Sequence, residues 1–375
     1  MNKLNYLRYC KNEILNHFLQ WPTFWSNRGL AKPTNVAFAM SGGKCFFRCK
    51  MCDRWKEDWG MKTIPLEEKK RFLKLLREWL GQFRLILGAQ GDPFMEKEIF
   101  ELIKFTSGND IITSVCSNGF LIDEAMAEKI TSSGLNHLVI SLDGIDAKTH
   151  DWIRGTPGSF QRIQSAVDSL NKKRKGMSLF INTIIMEQNL AQLVDLAKWV
   201  TGKKLDGVCF LQLESKNHFG KEPLSNDWFK DNELWPRDLR KVNEVFDKLI
   251  SLKERGYSIN NSVDQLRMFK SYFSDPSFLS KRPCFIGIQN LNIYADGNVY
   301  FCPNFAPVGN ILEKNPEIIW DSLKARERRK EIKRCQAYCR VSACYYRRNI
   351  LEKIEQFFKH RRLHSNYVRM RKEAG

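Results

Sequence analysis

The stretch Cys45-Phe46-Phe47-Arg48-Cys49-Lys50-Met51-Cys52 decides the fold and the chemistry expected of this chain. Its three thiols follow an apolar segment, Val36 to Met40, that is typical of a buried strand. Closely spaced cysteine thiolates are soft ligands for iron–sulfur clusters or zinc. A closed structural zinc site needs four protein ligands, whereas a four-iron cluster held by three cysteines keeps one iron open to an outside ligand. The spacing therefore predicts a metal site with an open position. Buried structural cysteines, or a zinc site completed by a distant residue, are the alternatives.

Composition indicates a globular protein with reduced thiols. The chain has 375 residues, enough for two domains or for one large α/β domain with an appendage, and 43% of its residues are apolar. No apolar run approaches the roughly 18 residues of a membrane span, and the first residues lack the layout of a signal peptide. Eleven cysteines without an export signal indicate metal binding rather than a disulfide framework. We expect a cytoplasmic protein, with a peripheral contact to the membrane as the alternative.

The charge indicates an acidic partner. The formal net charge is +19, from 61 Lys and Arg against 42 Asp and Glu. Such an excess attracts nucleic acid, anionic lipid, or a charged peptide or nucleotide, although a generally basic solvated surface would explain it equally well. We do not expect nucleic acid as a partner, because no recognised RNA-binding module accompanies the charge.

Strand-like and helical patterns alternate from Pro33 onward. Six apolar runs predict strands at Val36–Met40, Leu85–Leu87, Ile111–Cys116, His137–Leu142, Leu179–Ile185 and Val208–Leu213. Helical periods lie between them, and one begins after Pro65 and stops at Gly81. This order predicts right-handed βαβ units and a parallel sheet, either open or curled into part of a barrel. In both cases chemistry gathers at the C-terminal ends of the strands, where the three thiols lie. Cys116 and Cys209 fall inside strands, and we expect them to pack in the core.

The two ends of the chain carry amphipathic patterns. Residues 1–31 predict an aromatic-rich helix that stops near Pro22 and packs its apolar side, which includes Leu7, Ile14 and Phe18, across a barrel or sheet. A membrane-surface helix anchored by tryptophans is the alternative. The tail from residue 345 has nine Lys and Arg against three Glu, a net charge of +6. A helix packed on its own domain is the expectation there, and docking on anionic lipid is the alternative.

A second group of cysteines occupies the C-terminal third. Its members are Cys284, Cys302, Cys335, Cys339 and Cys344. Between the first two, two short strand patterns flank Asp296-Gly297, which is a strong hairpin signal. Five thiols exceed the four ligands of one cluster and fall short of the eight for two, so one auxiliary cluster with a spare cysteine is expected. Zinc is the alternative.

Several short motifs, taken together, resemble the radical S-adenosylmethionine (SAM) superfamily. Cys45-x3-Cys49-x2-Cys52 resembles its signature, and the segments after the next strands resemble its Gly-Gly-Glu-Pro, Thr-Asn-Gly and fourth-strand motifs: Gly88 to Pro93, Ser117 to Gly119, and Ile140 to Gly144 with Arg154-Gly155. Cys284, Gly297-x4-Cys302 and the segment from Val308 to Trp320 resemble the SPASM/twitch extension, which binds auxiliary clusters. The resemblance covers residues 33 to 348.

The resemblance implies a fold, cofactors and site residues. The fold would be α/β, a partial (β/α)6 TIM-like barrel of parallel strands with a small C-terminal cysteine-rich iron–sulfur domain. Cys45, Cys49 and Cys52 would hold a 4Fe–4S cluster, and SAM would chelate its fourth iron. The SAM contacts would come from Gln90, Gly91, Asp92, Asn118, Ser141 and Arg154. One auxiliary 4Fe–4S cluster would use the C-terminal cysteines.

Two departures from the family pattern matter. Gln90-Gly91-Asp92 replaces Gly-Gly-Glu, so the carboxylate expected at the amino group of SAM is one methylene shorter. Five C-terminal cysteines, rather than the seven of a full SPASM domain, favour the shorter form with a single cluster. Gln212 and Glu214, at the end of the sixth strand, are further candidates on the substrate side.

The implied activity is reductive cleavage of SAM to a 5′-deoxyadenosyl radical, which abstracts hydrogen from a peptide or small metabolite. A flavodoxin- or ferredoxin-type donor would supply the electron. A non-catalytic iron–sulfur electron carrier or scaffold, or an enzyme that modifies tRNA, is the alternative. The expected division of the chain is an N-terminal helix (1–31), a radical SAM core (32–225), a helical bridge (226–283), an auxiliary cluster domain (284–348) and a basic tail (349–375).

Overall fold

The computed structural model describes residues 3–40, 45–56, 62–88, 91–215, 227–340 and 346–353. Within them the strands are β1 Asn35–Ala39, β2 Arg84–Gly88, β3 Ile112–Ser117, β4 His137–Ser141, β5 Ser178–Ile184, β6 Gly207–Leu211, β7 Asn290–Ile293, β8 Asn298–Tyr300 and β9 Gly309–Asn310. The helices are α1 Lys3–Ser26, α2 Leu66–Leu80, α3 Ile99–Gly108, α4 Glu124–Ser132, α5 Ala147–Arg154, α6 Ser159–Lys173, α7 Leu193–Gly202, α8 Leu239–Glu254, α9 Val263–Ser274, α10 Ile286–Gln289, α11 Pro316–Trp320 and α12 Leu323–Arg334. The six predicted core strands lie within two residues of their expected bounds.

The strands form one sheet whose order confirms the predicted architecture. The order is β6-β5-β4-β3-β2-β1-β7-β8-β9, and β1 to β6 pair in parallel with their neighbours in sequence. Helices follow the strands, as right-handed crossover units require. Because β6 ends the sheet on one side and β7 joins β1 on the other, the six parallel strands form part of a barrel rather than a closed one.

The alternation of buried and partly exposed residues along the strands indicates that the inside of the barrel is accessible to solvent. In β1, β2, β4 and β5, every second residue is buried and the residues between are partly exposed. The buried set, such as Val36 and Leu85, belongs to the large core that also contains the helix residues Leu73 and Leu76. The other set therefore faces the inside of the barrel, which we call the lumen. Cys116 is exposed, so the expectation that it packs in the core is wrong. Its place in the pleat directs it away from the helices.

The C-terminal strands continue the same sheet. β7 pairs in parallel with β1, and β8 and β9 follow in antiparallel order. The predicted hairpin is confirmed, with Gly297 at φ +84 in the turn between β7 and β8. A backbone hydrogen bond of 2.9 Å from Ile64 to Ala295 ties the hairpin to the segment that follows the first cysteines. This bond and the pairing of β7 with β1 place the hairpin that leads to Cys302 beside β1.

The N-terminal helix differs from its prediction in two ways. α1 continues past Pro22 to Ser26. Pro22 lies on the exposed side of the helix. The predicted packing face is also wrong: Phe18 is 64% exposed, whereas Gln20 and Thr23 are 2% and 0% exposed. The loops below the barrel offer backbone groups that need hydrogen-bond partners, so the polar side of α1 packs there. Among the described helices, none has the length and apolar character needed to cross a bilayer.

Candidate active site

The first cysteine loop rests on the C-terminal end of α5. The backbone N–H of Lys50 donates to the carbonyl of Ile153 at 2.8 Å. Gly155 ends α5 at φ +60, and a Cβ at this position would collide with the carbonyl of Arg48. Glycine is therefore required at position 155 for two reasons: the left-handed backbone conformation and the close approach of the cysteine loop. This contact places the loop next to the guanidinium of Arg154.

The three thiols of the loop lie close enough to influence one another. Cys49 is 9% exposed, and burial raises the pKa of its thiol to about 11 against the opposing effect of Arg154. Burial also raises the pKa of Cys45, whose sulfur accepts a hydrogen bond from the N–H of Phe47. Cys52 interacts electrostatically with both. Three cysteine thiols in one loop suit a four-iron cluster with one iron open, because such a cluster binds each cysteine through a different iron.

A buried ion pair supports the loop from below. Arg154 Nη2 lies 2.6 Å from Asp143 Oδ2, and the two side chains are 11% and 0% exposed. Arg154 Nη1 lies 3.9 Å from the sulfur of Cys49. Asp143 Oδ1 accepts the N–H of Ile184 at 2.8 Å, and its own backbone N–H donates to His150 Nδ1 at 3.0 Å. Burial raises the pKa of Asp143, and Arg154 opposes that rise.

This arrangement gives Arg154 two partners that the sequence did not reveal. Arg154 was predicted to bind the carboxylate of SAM, and the structure places its guanidinium on Asp143 and Cys49. The SAM contact stays a prediction. Asp143 belongs to the fourth-strand motif, but its role as the partner of Arg154 depends on the packing of α5 against the end of β4, which no spacing in the sequence encodes.

The ends of β2 and β3 are joined through Asp92. Its Oδ2 accepts the Ser117 hydroxyl and the N–H of Asn118, both at 2.7 Å, and its Oδ1 accepts the N–H of Phe94 at 3.0 Å. Burial raises the pKa of Asp92, and these hydrogen bonds oppose the rise. Asp92 thus braces the two loops from a position that is 2% exposed.

The other predicted SAM contacts surround this brace. Gly91 precedes Asp92, and Asn118 turns its Oδ1 to the N–H of Phe120 at 2.9 Å. Ser141 is the last residue of β4 and pairs in register with Asn182 of β5. All of these residues follow or end parallel strands at the same edge of the sheet as the cysteine loop. Gln90 lies outside the described residues.

Four of the five C-terminal cysteines come together in one buried group. Cys339 interacts electrostatically with Cys284, Cys302 and Cys335, and burial is the first cause of its raised pKa. Cys284, Cys302 and Cys339 are at most 9% exposed, and Cys335 is partly exposed. We call Cys284, Cys302, Cys335 and Cys339 the auxiliary thiols. Cys344 lies outside the described residues.

The surroundings of the auxiliary thiols fit a bound cluster. The backbone N–H of Asn304 donates to the sulfur of Cys302. Both polar atoms of the Asn304 side chain are buried, and no hydrogen-bond partner for them occurs in the described part of the chain. A cluster held here would present sulfide acceptors to that amide. Four soft thiolates are also the ligand number of one cluster.

One contact connects the first cysteine loop with the hairpin, and a second connects the end of β6 with the auxiliary thiols; the sequence had indicated neither contact. Arg54, two residues after Cys52, hydrogen-bonds to Tyr294 of the hairpin and interacts electrostatically with Cys52 and Cys45. Gln212 Nε2 donates to Glu214 at 3.1 Å and to the carbonyl of Tyr338 at 3.4 Å, and Glu214 interacts electrostatically with the auxiliary thiols Cys302 and Cys339. Gln212 and Glu214, predicted on the substrate side, therefore lie at the junction between the barrel and the auxiliary thiols. For the contact of Arg54 with Tyr294, the signal in the sequence was a basic residue two positions after Cys52.

Comparisons with known proteins agree with this architecture. The radical SAM superfamily matches residues 40–200, and an iron–sulfur cluster-binding domain, SPASM, matches residues 284–345. Two solved structures cover most of the chain. SuiB from Streptococcus suis bound to its precursor peptide SuiA has a TM-score of 0.62 and 16% identity, covering 88% of this chain and 78% of SuiB. The anSMEcpe protein with bound AdoMet and the Cp18Cys peptide has a TM-score of 0.60 and 18% identity, covering 90% of this chain and 100% of that one.

Curated relatives match only in part. An AdoMet-dependent heme synthase of Methanosarcina barkeri is 28% identical over 174 residues, which are 44% of this chain and 47% of the relative. A PqqA peptide cyclase of Granulibacter bethesdensis is 26% identical over 160 residues, which are 40% of this chain and 39% of the relative. The chain thus spans less than half the length of these two relatives.

Proposed function

Because this chain belongs to the radical S-adenosylmethionine superfamily and is an enzyme of that type with a C-terminal SPASM iron–sulfur domain, we propose that Cys45, Cys49 and Cys52 hold its SAM-binding 4Fe–4S cluster and that its substrate is a peptide. One observation carries the proposal. The three thiols lie together after β1, beside a buried Arg154–Asp143 pair, at the edge of the sheet where the accessible lumen opens. Three cysteine ligands leave one iron for SAM.

When bound, the reduced cluster and SAM supply a 5′-deoxyadenosyl radical for abstraction of a substrate hydrogen. The chain's own residues orient the reactants and exclude water from them. Arg154 holds Cys49 in place and puts a positive charge beside its sulfur. Asp143 fixes Arg154, because its carboxylate is buried and receives a second hydrogen bond from Ile184. The potential of a cluster depends on such hydrogen bonds to sulfur.

The residues at the ends of β2 to β4 are proposed to bind SAM. Asp92, although it accepts three hydrogen bonds, retains acceptor capacity on Oδ1, since a carboxylate offers about four lone-pair sites. Gly91 leaves room for a close approach of the ligand, and Asn118 and Ser141 offer polar groups for its ribose or carboxylate. Gln90 completes this proposed set.

The auxiliary thiols are proposed as the complete ligand set of one auxiliary 4Fe–4S cluster, with Cys344 as the spare cysteine. Support comes from their number, their mutual proximity and the unpaired Asn304 amide. Cys284 lies next to α10 and Cys302 follows β8, so the cluster would be fixed to the sheet that carries the active site. Such a position suits electron transfer to or from a substrate in the lumen.

Two substrate classes deserve a direct comparison. The peptides in the two solved structures and the peptide cyclase among the relatives support a peptide. The relatives named as heme synthases support a small metabolite as the second candidate.

We also propose a cytoplasmic location for the protein. We propose a flavodoxin- or ferredoxin-type electron donor, because reductive cleavage of SAM needs a strong reductant. The predicted domain bounds, 1–31, 32–225, 226–283, 284–348 and 349–375, stand as part of the proposal.

The test is SAM cleavage by the protein reconstituted without oxygen. With dithionite and SAM we expect 5′-deoxyadenosine from the wild type and none from Cys49→Ala. Cys10→Ala is the matched control, because Cys10 lies on α1 at the other end of the strands, and it should behave as the wild type. Candidate peptides and tetrapyrroles labelled with deuterium are then compared. Transfer of deuterium into 5′-deoxyadenosine identifies the substrate class. Cleavage that persists in Cys49→Ala would contradict the assignment of the cluster.

A further inference from the structure

Helix α1 buries much of its polar side against the protein and exposes its apolar side. The most deeply buried side chains that face the protein are polar: Asn16 and His17 are each 8% exposed, and Gln20 and Thr23 are 2% and 0% exposed. Leu19 and Phe24 pack beside them against a small apolar cluster. The side that faces outward is apolar. We call this outward surface the α1 stripe, and it consists of Leu7, Ile14, Leu15, Phe18, Trp21 and Trp25, with exposed fractions between 38% and 71%. At 3.6 residues per turn these six positions fall within an arc of about 120°.

The inward orientation of the polar side is fixed by hydrogen bonds. Asn12 Nδ2 donates to the carbonyls of Leu80 and Gln82, each at 3.2 Å. The oxygens of Asn16 and Thr23 accept the N–H groups of Lys32 and Ala31, each at 2.7 Å. A rotation of α1 that buried the stripe would break these bonds and leave buried polar groups without partners, at a cost that the structure avoids. The outward position of the stripe is therefore a property of the fold.

Exposed cations lie beside and within the α1 stripe, and the acidic residue of α1 is neutralised. Arg8 and Arg28 lie beside the stripe, and Lys11 falls within its arc, where a long lysine side chain carries its charge past the apolar rings. Glu13 is the single acidic residue of α1, and it pairs with Lys353 at 2.7 Å. Helix α12, whose Lys333 donates to the carbonyl of Phe24 at 2.7 Å, has seven Lys and Arg against two Glu. A wide apolar arc with tryptophans and a cationic border is the composition of a helix that lies in a membrane interface.

We propose that the α1 stripe docks this enzyme on a lipid surface with anionic headgroups. The apolar rings enter the boundary between headgroups and acyl chains, and the bordering cations meet the headgroups. A second copy of the chain fits less well. In a two-fold dimer the same surface faces itself, so the cationic borders of the two copies would repel each other.

The docked orientation has a consequence for the reaction. α1 contacts the segments that enter β1 and β2, through Asn12 with Gln82 and Asn16 with Lys32, whereas the cysteine loop lies beyond the opposite ends of these strands. Docking through α1 therefore leaves the opening of the lumen on the aqueous side. A substrate reaches the site from water and not from within the bilayer.

The experiment uses the full chain as the reconstituted holoprotein in vesicle flotation. We expect it to float with vesicles of phosphatidylcholine and phosphatidylglycerol and to stay unbound with phosphatidylcholine alone. The double variant Phe18→Ser/Trp25→Ser should bind the anionic vesicles at least about tenfold more weakly. Lys11→Gln should weaken binding about fivefold, the effect of one basic residue near an anionic surface.

Controls separate the stripe from general adhesion. Leu239→Ser/Leu312→Ser changes two residues that are 40% and 51% exposed elsewhere, and it should bind as the wild type. All variants should cleave SAM normally, which shows that they fold. Absence of vesicle binding by the wild type overturns the proposal. So does binding that Phe18→Ser/Trp25→Ser leaves unchanged, since charge alone would then explain it. A wild-type dimer that this variant converts to a monomer, without vesicle binding, would assign the stripe to a second copy.

Discussion

Replacement of Arg154 by glutamine tests how the first cysteine loop is held. The change removes one partner of a buried ion pair whose side chains are 11% and 0% exposed. Loss of one partner of such a pair costs about 3–5 kcal/mol, because the other charge stays buried without compensation. Asp143 keeps the hydrogen bond from Ile184, and burial already raises its pKa, so the carboxyl can take up a proton. We therefore expect the lower part of that range, about 3 kcal/mol.

The assay is urea unfolding of the reconstituted protein without oxygen, followed by a potential measurement on the cluster. The unfolding midpoint should fall at an unchanged slope, and the reduction potential should become more negative. The second effect follows because a positive charge and a hydrogen-bond donor near Cys49 are lost. Asp143→Asn/Arg154→Gln should cost less than the sum of the two single changes, since the buried charges are removed together.

Arg267→Gln is the matched control. Arg267 pairs with Asp264 on the surface, where the side chains are 63% and 58% exposed, and its loss should cost less than about 1 kcal/mol. If Arg154→Gln changed neither the unfolding midpoint nor the potential, or if the double variant were fully additive, the buried pair would not be what positions Cys49.

Three further predictions concern other parts of the molecule. Gly155→Ala should destabilise the protein by about 2 kcal/mol or more and lower its iron content, because the added Cβ meets the carbonyl of Arg48 at a positive φ; thermal melts and iron analysis check this. Burial, and after it the charge of Arg347, lowers the pKa of His17 from 6.5 to about 4 in the folded protein. Between these two pH values the unfolded chain binds a proton at His17 that the folded protein does not. The free energy of unfolding should therefore decrease as the pH drops from about 6.5 towards about 4. His17→Gln should flatten the urea midpoint over that window, and an unchanged pH profile would contradict the assignment. Cys302→Ala should still form 5′-deoxyadenosine but no substrate-derived product in coupled mass spectrometry; loss of both would show that the auxiliary site is needed for folding.

The barrel was predictable because its signals are local. Apolar runs and the helical periods between them located the strands β1 to β6 within two residues, and Pro65 and Gly81 marked the ends of α2. The hairpin between β7 and β8 was equally clear, because an Asp-Gly turn between strand patterns has few other solutions. Chemistry at the C-terminal edge of the sheet followed from the parallel order alone.

Features that depend on distant packing were not predictable. Arg154 and Cys49 are 105 residues apart, and their contact exists because α5 ends against the cysteine loop. The number of C-terminal cysteines indicated one auxiliary cluster but not which four of the five come together, since that depends on how α12 returns to the hairpin. The helical period of α1 was correct while its orientation was wrong. Periodicity defines an apolar face but does not say whether protein or another phase covers it.

The most direct test of the central claim is electron paramagnetic resonance of the Cys284→Ala/Cys302→Ala variant, reduced without oxygen, with and without SAM. Removal of two auxiliary thiols leaves the signal of the first cluster alone. The account predicts a 4Fe–4S signal that changes when SAM is added, because one iron has no protein ligand. A cluster signal that SAM leaves unchanged, or zinc in place of iron at Cys45, Cys49 and Cys52, would contradict it.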